Sequence, residues 1–104
     1  MGEKMTPKQL EYFVAVSEEL SFTRAARRLF VSEASISTQI RNLEREVGCS
    51  LLDSDNHHVA LTPAGTSLLA DAQALLAHSK EAVERARAMD NGPVGELRVG
   101  FIKG

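Results

Sequence analysis

From Thr62-Pro63 to Asn91-Gly92-Pro93 nothing breaks a helix, a stretch of about 28 residues. It opens on a capping hydroxyl followed by a proline in the first turn, where no N–H donor is needed. Leu68, Ala72, Leu75, Ser79, Ala82, Ala86 and Met89 then alternate steps of four and three, with Leu69, Leu76 and Val83 seven apart beside them. This is a heptad seam over about three repeats. Such a helix carries too long an apolar stripe for a small head to cover, so a partner helix from a second copy is expected on it. The alternative is that it folds back onto its own head.

The head is read from the residues before it. Thr6-Pro7-Lys8-Gln9 has the form of a capping box with proline in the first turn. Leu10, Phe13 and Val14 follow as the buried stripe of a helix running to about Glu18. A second short helix fits Thr23 to Leu29, capped by Ser21 or Thr23, with Ala25, Ala26 and Leu29 on one face. The alanines allow close helix packing. Phe30-Val31-Ser32 breaks the pattern. Ser32 then caps a third helix whose Ile36, Ile40, Leu43 and Val47 make its core face, and Gly48 ends it. Two helices joined by a tight turn, the second longer and amphipathic, form a helix-turn-helix pattern.

Leu51-Leu52-Asp53 and Val59-Ala60-Leu61 flank Ser54-Asp55-Asn56-His57-His58 and predict a small β-hairpin, a wing beside the third helix. Gly95-Glu96-Leu97-Arg98-Val99-Gly100-Phe101 alternates like a strand that lacks a sheet here, so the chain is expected to end just inside a second domain. The expected fold is therefore mostly α: a winged helix-turn-helix with a β-hairpin wing over 1–61, a long dimerisation helix over 62–92, and a hinge and first strand over 93–104.

The net charge of −2 argues against a nonspecific coat for nucleic acid, but the charge is uneven. Between Thr23 and Arg45 lie five arginines (24, 27, 28, 41 and 45) against Glu33 and Glu44, a local net of +3 where a groove-binding element needs it. The single cysteine, Cys49, rules out an intrachain disulfide and is expected to be a small half-buried residue. No apolar run reaches the roughly 18 residues of a membrane span. A cytoplasmic location without membrane association fits best.

With its apolar face turned to the core, the third helix presents Ala34, Thr38, Arg41 and Arg45 outward, flanked by Ser37 and Asn42. Hydroxyls bond to bases or phosphates, and arginine to phosphates or guanine. These side chains point to double-stranded DNA, the early turns in the major groove and Arg41 and Arg45 nearer the backbone.

Leu10-Glu11-Tyr12-Phe13-Val14-Ala15-Val16, Ser21-Phe22-Thr23-Arg24-Ala25-Ala26, Val31-Ser32 and Gln39-Ile40-Arg41-Asn42-Leu43-Glu44 through Gly48 resemble the LysR-type transcriptional regulators. So do Leu61-Thr62-Pro63-Ala64-Gly65 and Gly95-Glu96-Leu97-Arg98-Val99-Gly100. The resemblance covers essentially the whole chain. It implies a bacterial regulator that binds interrupted inverted repeats as a homodimer through an antiparallel linker helix, a tetramer in the longer parent, with a small-molecule effector bound only in a domain downstream. The DNA-contacting positions it and the helix pattern indicate are Thr23, Arg24, Ser32, Glu33, Ala34, Ser37, Thr38, Arg41, Arg45 and Ser54. The dimer positions are Leu68, Leu69, Ala72, Leu75, Leu76, Ser79, Ala82, Val83 and Ala86. Two departures stand out: the family's Gln-Pro and Ser-Arg are here Glu33-Ala34 and Ser37-Thr38, and its Leu-Phe-x-Arg wing is Leu51-Leu52-Asp53-Ser54.

Two rival readings carry less. An enzyme would start from His57, His58, His78, Asp53 and Asp55, but adjacent strand histidines face opposite sides, and no nucleophile–base pair or glycine-rich phosphate loop is visible. No catalytic residue, metal or cofactor is expected. A winged helix that has given up DNA and survives as a coiled-coil dimer leaves the arginines of the second and third helices unexplained.

Overall fold

A computed structural model of the chain describes residues 5–55 and 58–90. Four helices and one hairpin follow in the order α1 (Pro7–Glu19), α2 (Phe22–Leu29), α3 (Glu33–Val47), β1 (Leu52–Asp55), β2 (His58–Leu61) and α4 (Pro63–Met89). The mostly α winged helix-turn-helix is thus what the residues build. The strand expected after Pro93 lies outside the described residues.

Local chemistry sets the helix ends. The Thr6 hydroxyl accepts from the Gln9 amide at 3.1 Å and the Gln9 side chain accepts from the Thr6 amide at 3.1 Å, which completes the capping box. Ser21, not Thr23, caps α2, accepting from the Arg24 N–H, so α2 begins one residue earlier than the pattern suggests. Ser32 caps α3 through the Ser35 amide at 3.0 Å, and Thr62 caps α4 through the Gly65 amide at 2.9 Å. Three helices end on left-handed residues: Leu20, Phe30 and Gly48. Glycine adopts that conformation freely, whereas Leu20 and Phe30 each hold it at roughly 1–2 kcal/mol. Phe30 is also 93% exposed. Its tight turn, closed by the Val31 amide donating to the Ala26 carbonyl at 3.0 Å, sets α3 against α2.

The core lies where α1 meets the other three helices. Phe13, Val16, Ala25, Ile36, Leu43 and Leu51 are fully buried in it, and Ala26 is nearly so. The buried Ser17 donates its hydroxyl to the Phe13 carbonyl at 2.7 Å, so it enters the core without an unmet donor. Two expectations fail at the end of α3. Val47 is substantially exposed, while Leu51 just beyond the helix is fully buried, and Cys49 sits on the surface rather than half-buried.

The hairpin pairs antiparallel from Leu52 opposite Leu61 to Asp55 opposite His58. Its strands run closer to the turn than the apolar runs suggest, since backbone pairing continues past the residues that pack. Thr62 fastens its base. The Thr62 amide donates to the Leu51 carbonyl at 3.1 Å and its hydroxyl to the Ser50 carbonyl at 2.7 Å. Gly65 then passes so close to the Leu51 carbonyl that a Cβ would collide with it. The start of α4 is thereby fixed to the wing by backbone.

Candidate nucleic-acid interface

The exposed side of α3 has two flanks. On the wing side Ser37 and Arg41 share a recess with Ser54 of β1, Glu44 and the edge of Phe22. Ser54 also lines an adjoining recess with Ser21, Thr23 and Arg24 from the start of α2. Five of the expected contact residues, from three elements, thus converge between helix and wing. On the opposite flank Ala34 and Thr38 share a recess with Lys8 and Tyr12 of α1. Lys8 was read from sequence only as part of a cap. Its position brings a cation beside Thr38, where the family pattern has arginine.

The basic residues divide more sharply than their spacing suggests. Arg28 Nη2 lies 2.8 Å from Glu18 Oε1 and its Nη1 3.3 Å from Glu19 Oε2. Arg24 donates to the Glu19 carbonyl at 2.9 Å and has its Nε 3.6 Å from the Glu19 carboxylate. Both therefore bind the end of α1 to α2. The Glu18 carboxyl is held below its ordinary value by hydrogen bonds from Arg28 and then Gln73, and Arg28 is raised by the same Glu18 contact. The local excess of +3 counted these two arginines without their α1 partners. Arg41, Arg45, Arg27 and Lys8 are exposed with no acidic partner among the described residues, and Arg24, although paired with Glu19, keeps 61% of its side chain exposed beside Ser54. Arg45 donates to the Asn42 side chain at 3.0 Å, which aligns both along the end of α3.

At the start of α3 the Ser32 hydroxyl, besides capping, lies 3.0 Å from the Ser35 hydroxyl. Glu33 accepts from the Thr23 hydroxyl at 2.9 Å. Glu44 supports the interface from behind. Its Oε2 accepts from the Leu51 and Leu52 amides at 2.8 and 3.2 Å, so a carboxylate of α3 anchors the chain entering the wing. The Arg41-Asn42-Leu43-Glu44 pattern marked this glutamate only as a motif residue. Its partners lie seven and eight positions away across a turn, beyond any helical spacing.

The expected dimer positions also separate. Ala72 is fully buried against the head and cannot face a partner, and Leu68, Leu69 and Leu76 are half-buried on the same cluster. Together with Gly65 they form a head-facing stripe at helical spacing. Leu75, Ser79, Ala82, Val83 and Ala86 remain exposed. Leu75, with Met5, Leu68, Asp71, Ala74 and His78, lines a mostly apolar groove beside the start of α1. No helix among the described residues is long and apolar enough to cross a membrane.

The bacterial regulatory helix-turn-helix proteins of the lysR family match residues 7–66. The uncharacterised HTH-type transcriptional regulator YnfL of Escherichia coli K12 is 47% identical over 94 residues, covering 90% of this chain and 32% of that protein. The Hca operon transcriptional activator HcaR of the same organism is 46% identical over 98 residues, covering 94% and 33%. The chain thus spans about a third of the length of these curated relatives. Among solved structures, the CbnR DNA-binding domain in complex with DNA superposes with a TM-score of 0.80 at 36% identity, covering 83% of this chain and 99% of that one. The BenM DNA-binding domain on catB site 1 DNA gives 0.81 at 38%, covering 84% and 98%.

Proposed function

The chain belongs to the LysR family of bacterial regulatory helix-turn-helix proteins, and from that membership we propose that it binds double-stranded DNA sequence-specifically as the DNA-binding part of a transcriptional regulator. In this reading residues 1–61 are the DNA-binding head, 62–92 the linker helix, and 93–104 the entry to an effector-binding domain. α3 enters the major groove by its first turns, and the wing and the start of α2 lie over the adjoining backbone. The observation that carries the reading is the convergence of Ser37 and Arg41 of α3, Ser54 of the wing, and Thr23 and Arg24 of α2 on one continuous surface. Backbone contacts fix register there, and the turns of α3 beyond Ser32 supply the base contacts.

The second half of α4 supports a homodimer. Leu75, Ser79, Ala82, Val83 and Ala86 face solvent along one helix, and an antiparallel copy covers them while placing two heads on an interrupted inverted repeat. A tetramer and a small-molecule effector belong to the longer parent, and the cytoplasm is the compartment that suits such a regulator. The role is binding rather than catalysis.

Gel shifts over a salt series test it, using duplex from upstream of the chain's own gene and a scrambled duplex of equal length. The specific duplex should bind more tightly at every salt concentration, with log affinity falling linearly against log salt. Equal affinity for both duplexes overturns sequence-specific binding.

A further inference from the structure

Glu33 sets an acidic group at the tip of a surface otherwise suited to a polyanion. It is the first residue of α3 and is exposed. Thr23 holds it: because Ser21 caps α2, the Thr23 hydroxyl is free to donate to Glu33 Oε2, at 2.9 Å. Among the described residues no cation pairs with Glu33, and its second oxygen accepts no hydrogen bond. An exposed carboxylate that is held in place and unneutralised at the leading turn repels phosphates on every sequence. It returns that loss only where a base offers it a donor.

We propose that Glu33 is a specificity-determining residue that accepts a hydrogen bond from the N4 amine of a cytosine in each half-site, and that Thr23 is its positioning residue; this rests on the reading of α3 as the groove-entering helix. The chemistry selects the base. An ionised carboxylate only accepts. Guanine and thymine present acceptors on their major-groove edges, and adenine sets the acceptor N7 beside its amine. Cytosine alone offers an amine without an acceptor next to it on the same base.

Selection of bound sites from randomised duplexes tests this, with circular dichroism reporting that each variant is folded. The unsubstituted chain should enrich cytosine at one position per half-site by about tenfold, the lower part of the range for a good base contact. Glu33→Gln should move the preference there to adenine, since an amide donates and accepts at once and matches N6 and N7. Glu33→Ala should erase the preference and tighten binding to unrelated duplex. Thr23→Val should weaken the cytosine preference while leaving other positions alone, and Thr23→Ser should keep it. If the unsubstituted chain and Glu33→Ala select the same base at every position, Glu33 reads nothing and the proposal fails, with DNA binding itself intact. If the unsubstituted chain enriches no sequence at all, sequence-specific DNA binding fails with it.

Discussion

The two halves of α4 share one helix and one heptad pattern yet live in different surroundings. Over 63–76 the helix is pinned by Gly65 against the Leu51 carbonyl, buried at Ala72 and half-covered at Leu68, Leu69 and Leu76. From Ala77 to Asp90 every residue is exposed. An isolated helical segment of that length is marginal in water, and its stability must come from packing. The difference teaches that apolar periodicity reports a face in need of cover without saying what covers it. The chain's own head serves the first half, and the second half stays exposed within one chain.

Substitution in the covered region should have the largest effect. Phe13 of α1 is fully buried in the core of the head, and Phe13→Ala should destabilise the head by about 3–5 kcal/mol, through lost burial and the cavity left behind. Val83→Ala in the uncovered half should leave urea unfolding of the head nearly unchanged at a concentration too low for association. Equal losses from both would mean that the far half of α4 is already covered within one chain.

Association should respond in the opposite sense. Leu75, half-exposed beside the Met5 groove, contributes roughly 1.5–3 kcal/mol when fully buried, and Leu75→Glu places a charge there instead. Sedimentation should show a dimer for the unsubstituted chain and a monomer for the variant, with the head's far-ultraviolet spectrum kept. An unchanged dimer would move the pairing face elsewhere on the chain.

A smaller effect is expected at the wing. Ser54 lines both recesses, with Arg24 in one and Arg41 in the other, and under the proposed docking an added cation there would meet a phosphate. Ser54→Arg should strengthen binding to specific and scrambled duplexes alike and steepen the log-affinity against log-salt slope by about 0.9 per new contact. A gain confined to one sequence would show base contact instead of phosphate contact.

What was legible in the chain follows the same division between local and distant causes. Thr6, Ser32, Gly48 and Thr62 act on residues within one helical turn, so their patterns revealed the helix ends directly. Ser21 and Thr23 were equivalent on that local ground. In the fold the Ser21 hydroxyl accepts from the Arg24 amide, and the Thr23 hydroxyl donates to Glu33, ten positions away. Arg24 and Arg28 were counted as free charge because sequence does not show their partners, and Glu18 and Glu19 pair with them in the fold. Ala72 sat at a seam position by spacing, yet its small side chain lets α1 approach, and the helix face it occupies belongs to the head. Lys8 reached the α3 flank through tertiary packing that no spacing encodes.

The smallest effect concerns the polar fastening of the covered half. Gln73 of α4 donates to Glu18 Oε2 at 2.8 Å while Arg28 donates to Oε1 at 2.8 Å, so one carboxylate joins α1, α2 and α4. These groups are substantially exposed, and such surface pairs are worth about 0.2–1 kcal/mol. Because the folded state lowers the Glu18 value, chiefly through the Arg28 hydrogen bond, its contribution is fully present above the unfolded value of about 4.3. It is lost as pH falls through the lower folded value. The raised Arg28 contributes below the unfolded arginine value, so it adds no pH dependence anywhere near neutrality. The difference in melting temperature between the unsubstituted chain and Glu18→Gln should therefore be constant from about pH 7 to 5 and shrink below that as the carboxylate takes up its proton. Gln73→Ala should reproduce part of that pattern, since removing its hydrogen bond lets the Glu18 value rise toward normal. A difference that stays constant down to pH 3 would mean that the charge of Glu18 adds nothing to the joining of α1, α2 and α4, since Gln keeps the same stem.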